Sequence, residues 1–162
     1  MRATNRGLLA ALTGALLCAG AAAATPTDKS VEFDLVEVQP EAAMPALRAI
    51  AGSERLERVD ADTVRVRGTK EELDLAAVVV ELIDVDGSGD VVSREAGDGS
   101  VVARFDLKGV SSRQAVRHLR TMSIRQVAVV HEGSALLVRG SEEQIEAATR
   151  RMEVLRTEST KR

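Results

Sequence analysis

The sequence is poor in the residues that build many ligand sites. It has 162 residues, with no Trp, no Tyr, two Phe and one Cys. This shortage of aromatic side chains argues against base stacking on nucleic acid and against aromatic-lined cofactor pockets. Lys and Arg number 22 against 25 Asp and Glu, so the chain shows no basic nucleic-acid footprint. The hydrophobic content of 44% is sufficient for a packed core and argues against disorder.

The N-terminus has the design of a secretory signal peptide. Arg2 and Arg6 precede an apolar run, Gly7–Ala24, which ends in the small residues that a signal peptidase accepts. Cleavage at the end of this run makes residues 1–24 the signal and residues 25–30 a short tail of the mature protein. An uncleaved membrane anchor is the alternative, because the run has about the minimum length to span a bilayer.

The single cysteine, Cys18, lies inside this segment. Lipidation there is disfavoured because Leu17 precedes it, where lipoprotein signals carry a small residue. Cleavage removes the cysteine, two arginines and no acid, which changes the formal net charge from −3 to −5. Without thiols the mature protein forms no disulfide and depends on packing. We expect an exported protein of the bacterial periplasm, with no direct membrane insertion after the signal is cleaved.

An internal repeat organises the rest of the chain. Residues 33–84 align without a gap to residues 105–156 at an offset of 72, and thirteen of these 52 positions are identical. Both Phe residues are among the identities. The predicted organisation is a first module at 31–84, a linker at 85–100, a second module at 101–156 and a C-terminal tail at 157–162.

Each module has the pattern of a strand, a helix, two strands and a second helix. Apolar and charged residues alternate from Val31, and strand-forming residues run from Val102, which predicts the first strands. The later strand pairs are predicted at Leu56–Val59 with Thr63–Arg67, and at Val127–Val130 with Ala135–Arg139. We therefore expect an α+β fold of two tandem β-α-β-β-α modules, each with two helices on one face of a three-stranded sheet.

Helix starts carry recognisable end chemistry. Capping boxes are predicted at three of them: Ser111 with Gln114, Thr69 with Glu72, and Ser141 with Gln144. In the remaining helix Pro40 suits the first turn, whereas Pro45 lacks a backbone donor and predicts a kink or a late start. The stripes expected to be buried in the last helix of each module are Leu73, Ala76, Ala77, Val80 and Ile83, and Ile145, Ala148, Met152 and Leu155.

The module order resembles a known family through two segments, FDLKGVSSRQAVRHL from Phe105 and DTVRVRGTKEELDLAAVVVELIDV from Asp62. They are similar to the N-terminal periplasmic modules of secretins and to the short N-terminal domain of TonB-dependent transducers. The resemblance covers both repeats. It implies a non-enzymatic module that pairs with like modules in rings or docks with inner-membrane machinery. Because the chain has no room for a secretin's membrane-inserting β-barrel, the expected role is accessory or adaptor.

The linker also matches part of an EF-hand loop. Asp84, Asp86, Ser88 and Glu95 fall at positions 1, 3, 5 and 12, and Asp90 would contribute its backbone carbonyl. Such oxygens can converge on one hard cation. The outgoing helix is missing, and a serine replaces one carboxylate, so any Ca²⁺ affinity should be weak. Weak calcium binding is the alternative function; otherwise the linker is a polar spacer without a cofactor. In that interpretation Val91–Ser93 and Val101–Ala103 can form a hairpin around Asp98-Gly99.

The other polar motifs predict no chemistry. His118 and His131 occupy non-equivalent positions without an accompanying cysteine, so no metal site is expected there. No nucleophile-elbow glycine pattern is present, and we predict no catalytic residue and no enzyme. Arg67 and Arg139, in a repeated Val-Arg-Gly, are interpreted as solvated strand ends, with partner binding as the alternative. The expected function is an adaptor or assembly role, through contacts with envelope proteins or with itself.

Overall fold

The computed structural model describes residues 29–84 and 91–161 of the chain. The predicted signal peptide and residues 85–90 of the predicted linker lie outside these ranges. Within them the fold is mixed α+β, with four α-helices and two antiparallel sheets of three and four strands. No helix in the described ranges is both long enough and apolar enough to cross a membrane.

The first half, defined as residues 29–84, carries the three-stranded sheet. Its strand order is β1-β3-β2, with β3 antiparallel to both neighbours. The elements in chain order are β1 (Lys29–Asp34), α1 (Pro40–Ala46), a π-helical turn (Leu47–Ala51), β2 (Arg55–Arg58), β3 (Thr63–Gly68) and α2 (Lys70–Ile83).

The second half, defined as residues 91–161, carries the four-stranded sheet. Its strand order is β4-β5-β7-β6, and every pairing is antiparallel. The elements are β4 (Val91–Glu95), β5 (Val101–Asp106), α3 (Ser112–Thr121), β6 (Gln126–Val130), a 3-10 turn (His131–Gly133), β7 (Ala135–Gly140) and α4 (Glu142–Thr160). Strand β4 lies inside the predicted linker and pairs with β5, so the predicted hairpin around Asp98-Gly99 is confirmed and extends to Glu95. The second sheet therefore has four strands rather than the three expected of a module.

The helices of the first half lie between the two sheets. One core cluster joins α1, the π turn and α2 to the inner face of the first sheet and to the near face of the second. A second cluster lies on the far face of the second sheet, against α3 and α4. The layers therefore follow the order sheet, helices, sheet, helices. This packing buries apolar surface that units of about 50 residues bury poorly alone.

Helix α2 is apolar on two sides because it contacts both sheets. Of the stripe predicted from the sequence, Ala77 is exposed, which corrects that prediction, and the other members are buried. A second stripe, which the sequence reasoning missed, consists of Leu75, Val79 and Leu82. At 100° per residue this stripe lies about a third of a turn from the first. The sequence signal was present in the near-continuous apolar run of α2.

Helix ends follow the predictions in three of four cases. Both capping boxes that start α2 and α4 are formed, and Pro40 occupies the first turn of α1. Ser111 is the N-cap of α3, but its side chain makes no capping hydrogen bond, so the third capping box is wrong. Pro45 lies inside α1, and the backbone widens into the π turn just after it. Helix α1 therefore begins before Pro45, and the prediction of a late helix start is wrong.

The ungapped repeat conceals two one-residue shifts. Arg58 pairs with Val64 in the first sheet, whereas Val129 pairs with Leu136 in the second. Val64 and Leu136 are 72 residues apart, but Arg58 and Val129 are 71 apart. The π turn thus adds one residue to the first half. The 3-10 turn before β7 adds one to the second half and restores the offset.

Candidate interaction surfaces

The residues proposed as calcium ligands are not gathered into one described site. Asp86, Ser88 and Asp90 lie outside the described residues, and Glu95 is the exposed last residue of β4. Asp84 ends α2, and its carboxylate accepts hydrogen bonds from three backbone N–H groups. Among the described residues no group of His, Cys, Asp and Glu is arranged to hold a metal ion. Calcium binding by the linker remains a prediction.

The hydrogen bonds of Asp84 fix the loop between β1 and α1. The N–H groups of Val36, Glu37 and Val38 donate to the carboxylate at 2.9, 2.7 and 3.2 Å. Such a carboxylate stabilises a loop because it satisfies several otherwise unpaired donors. The loop nevertheless holds Val36 outward, 84% exposed, which is the largest exposure of any described large apolar residue. We call Val36–Glu37 the loop tip.

The two histidines stand in different environments. His118 on α3 lies 3.2 Å from Arg151 on α4, measured between His118 Nδ1 and a guanidinium nitrogen. His131 lies at the end of the second sheet with a positive φ of 49°, and its Nε2 is buried without a hydrogen-bond partner in the described residues. Burial, followed by the charge of Arg104, lowers the pKa of His131 below its usual 6.5.

The repeated Val-Arg-Gly has a structural basis at its glycine. A Cβ on Gly68 would collide with the Glu72 carboxylate, and one on Gly140 would lie 2.7 Å from Gln144 Oε1. Glu72 and Gln144 are the N3 residues of the two capping boxes, which fold back over the strand end. The glycine therefore leaves room for the capping side chain.

The two arginines of this motif differ in their contacts. Arg67 is exposed and forms an ion pair with Glu57 at 3.4 Å. Arg139 donates to Ile50 O at 3.1 Å and to Ser100 Oγ at 2.9 Å, and pairs with Asp98. It therefore ties the first half to the second beside a cavity of about 490 Å³. Hydrogen bonds from Ser100, together with Arg139, lower the pKa of Asp98 to about 2. Arg139 is not a solvated strand end.

Strand β1 is an exposed edge. It pairs with β3 on one side only, within the described residues. The Leu35 N–H donates to Asp62 O on the β3 side at 2.8 Å. Successive N–H groups alternate along a strand, so those of Ser30, Glu32 and Asp34 point to the open side. In the second sheet the strand at the equivalent position, β5, has this edge covered by β4.

Charge is divided unequally between the halves, which the totals of basic and acidic residues in the whole sequence do not show. Residues 29–84 carry 7 Lys or Arg and 13 Asp or Glu, a net charge of −6. Residues 91–161 carry 12 and 9, a net charge of +3. From Leu107 to His131 there are five Lys or Arg and no acid, a run that could have been found from the sequence.

This acid-free run forms an open groove between α3 and β6, which we call the arginine groove. Its volume is about 570 Å³, and its lining includes Arg113, Arg117, Arg120, Val116 and Val129. The three arginines are exposed and make no hydrogen bond or ion pair with any other described residue. Val129 is 45% exposed, so apolar surface lies beside unpaired positive charge.

Neither a model of a known protein family nor a curated protein matches this chain.

Proposed function

We propose that this protein is a non-enzymatic adaptor or assembly protein of the bacterial periplasm, which makes protein–protein contacts in a secretin-like or TonB-like envelope system. Its two halves are proposed to be tandem copies of one β-α-β-β-α unit. The offset-72 repeat supports this, as do the same element kinds in the same order from β1 to α2 and from β5 to α4. The signal-like N-terminus supports export.

The open edge of β1 is the observation that carries the proposal. Three outward N–H groups lie on an exposed strand, and the equivalent edge in the second half accepts an antiparallel strand, β4. Val31, next to these groups, is 38% exposed and would contribute apolar contact. Unpaired strand edges are templates for a partner strand, which forms backbone hydrogen bonds along the edge. A partner segment is therefore proposed to occupy at β1 the place that β4 occupies at β5.

The test is in-cell crosslinking of the tagged protein, with mass spectrometry of the products, on the wild type and two variants at Ser30. Ser30→Pro removes an outward N–H and should abolish the principal crosslinked product, because proline cannot donate to an added strand. Ser30→Ala keeps the N–H and should retain the product. An envelope-machine subunit lost only in the proline variant supports the proposal. A product present equally in all three, or no product at all, contradicts it.

A further inference from the structure

We propose that the arginine groove is a docking site for the loop tip of a second copy of this chain, so that molecules associate head to tail. The inference rests on the proposed assembly function and names the surfaces that perform it. One molecule supplies Val36 and Glu37, and the next supplies the arginines and valines of α3 and β6.

The loop tip has the chemistry of a ligand for this groove. Val36 is an apolar knob, 84% exposed, and the Glu37 side chain is exposed and makes no hydrogen bond or ion pair among the described residues. The Asp84 carboxylate holds the backbone of both residues in place. A pre-ordered loop loses little conformational entropy on binding, which favours association. Since Val36 is exposed, the tip does not occupy the groove of its own molecule.

The arginine groove complements the loop tip in both apolar surface and charge. Val116 and Val129 offer apolar surface for the knob, and the unpaired guanidinium groups can bind a carboxylate through two parallel hydrogen bonds. A concave groove also suits a protruding loop better than the flat surface of a membrane. Long-range attraction between a half of charge −6 and a half of charge +3 would orient the two copies before contact.

Each surface occurs in only one half of the described chain, which makes the contact directional. At the position of Arg113 the first half has Glu41, and Glu41 pairs with Arg58, the counterpart of Val129 in sheet register. In the first half the ion pair between Glu41 and Arg58 therefore lies where the second half has the arginine groove. At the position of the loop tip the second half has Lys108–Gly109, with no apolar knob. A heterologous contact of this kind continues into a ring or a filament.

The experiment is sedimentation velocity of the purified protein over a concentration series, at about 20 mM and about 500 mM salt. We expect association at low salt that weakens strongly at high salt. Arg117→Glu and Glu37→Arg should each weaken it by at least about tenfold, because like charges then meet. Mixing these two variants should restore association, since each retains one functional surface and the exchanged charges attract.

Matched controls separate the contact from general charge and apolar effects. Arg150→Glu makes the same charge change on α4, outside the groove, and should leave association unchanged. Val36→Ser should weaken association about tenfold, as expected for a valine that becomes buried, whereas Val154→Ser, at another exposed valine, should not. Circular dichroism and thermal unfolding verify that each variant is folded.

Several outcomes overturn the inference. These are a monomer at every concentration at low salt, equal weakening by Arg150→Glu, or no recovery in the Arg117→Glu and Glu37→Arg mixture. A monomer that binds phosphatidylglycerol vesicles through Arg117 would assign the groove to lipid phosphate instead. If the protein is monomeric but β1-dependent crosslinking persists, this inference fails and the proposed function survives; loss of both removes the proposed function as well.

Discussion

Each sheet packs one face against the helices of its own half. The two sheets differ in what covers the opposite face. In the first sheet this face carries exposed charge, with Arg65 donating to Glu32 at 2.6 Å and to Glu57 at 3.0 Å. In the second sheet the same face meets the helices of the first half, and Leu137, 72 residues after Arg65, is fully buried. The residues on this face, charged in the first sheet and apolar in the second, thus determine that the first sheet is an outer layer and the second an inner one.

The largest effect is expected from exchanging these two residues. Leu137→Arg places an unpaired charge between the second sheet and α2 and should lower the free energy of unfolding by at least about 4 kcal/mol. The reverse change, Arg65→Leu, alters an exposed face and should leave the midpoint of thermal unfolding nearly unchanged. Chemical denaturation of both variants measures the difference. Equal effects would show that the second sheet is not covered.

A buried ion pair gives the next largest difference. Arg104 is 5% exposed, pairs with Asp106 at 3.2 Å and donates to Leu82 O in the first half at 3.3 Å. Arg104→Ala leaves a largely buried carboxylate without this partner and should cost about 3–5 kcal/mol. Glu32→Ala, at the equivalent position of the first sheet, removes an exposed pair and should cost far less. Urea titrations check the ranking, which similar midpoints would contradict.

The loops that follow β1 and β5 are closed in opposite ways. Asp84 accepts hydrogen bonds from the first loop, whereas Arg156, at the equivalent position, donates to Asp106 O at the end of β5. Asp84→Ala leaves three N–H groups without this acceptor and should cost about 1–3 kcal/mol. Hydrogen exchange should then accelerate at Val36–Val38 while β7 keeps its protection. Unchanged exchange in this loop would refute the role of Asp84.

The smallest predicted effect is a pH dependence of the free energy of unfolding, which arises from His131 in the second half. Burial and the Arg104 charge lower the pKa of His131 in the folded state, against the opposing effects of the Ile83 backbone and of the Asp106 and Asp84 charges. The unfolded chain therefore takes up the proton first, and stability should fall as the pH decreases below about 6.5. His131→Asn, a residue that tolerates positive φ, should reduce this slope in urea titrations between pH 7 and 5. A slope identical to that of the wild type would exclude His131 as its source.

Helix caps and buried helix faces were predictable from the sequence, because they depend on residues close together in the chain. The Thr69 and Ser141 capping boxes, the Pro40 helix start and the buried stripe of α4 depend on spacings of three or four residues. The hydrogen-bond partner of Asp84 was not predictable, because it lies 46–48 residues earlier in the chain. The sequence interpretation named that carboxylate as a calcium ligand only in its alternative function, and in the structure it accepts hydrogen bonds from the N–H groups of Val36, Glu37 and Val38.

The internal repeat was also only partly predictable from the sequence. The ungapped alignment passed over the π turn and the 3-10 turn because their one-residue insertions cancel. The pairing of Arg58 with Val64 and of Val129 with Leu136 reveals the shift. The same shift makes Arg58 the counterpart of Val129, and so explains why an open groove occurs in only one half.

The sequence alone determined the element kinds, most helix ends and the repeat, because propensity, capping and periodicity act over a few residues. Tertiary structure decided which sheet is internal, since the helices of the first half can cover the second sheet only once both are folded. It also decided that the acid-free run becomes a groove beside Val129. Electrostatic and apolar surfaces are properties of residues brought together from distant parts of the chain, and a linear pattern does not contain that arrangement.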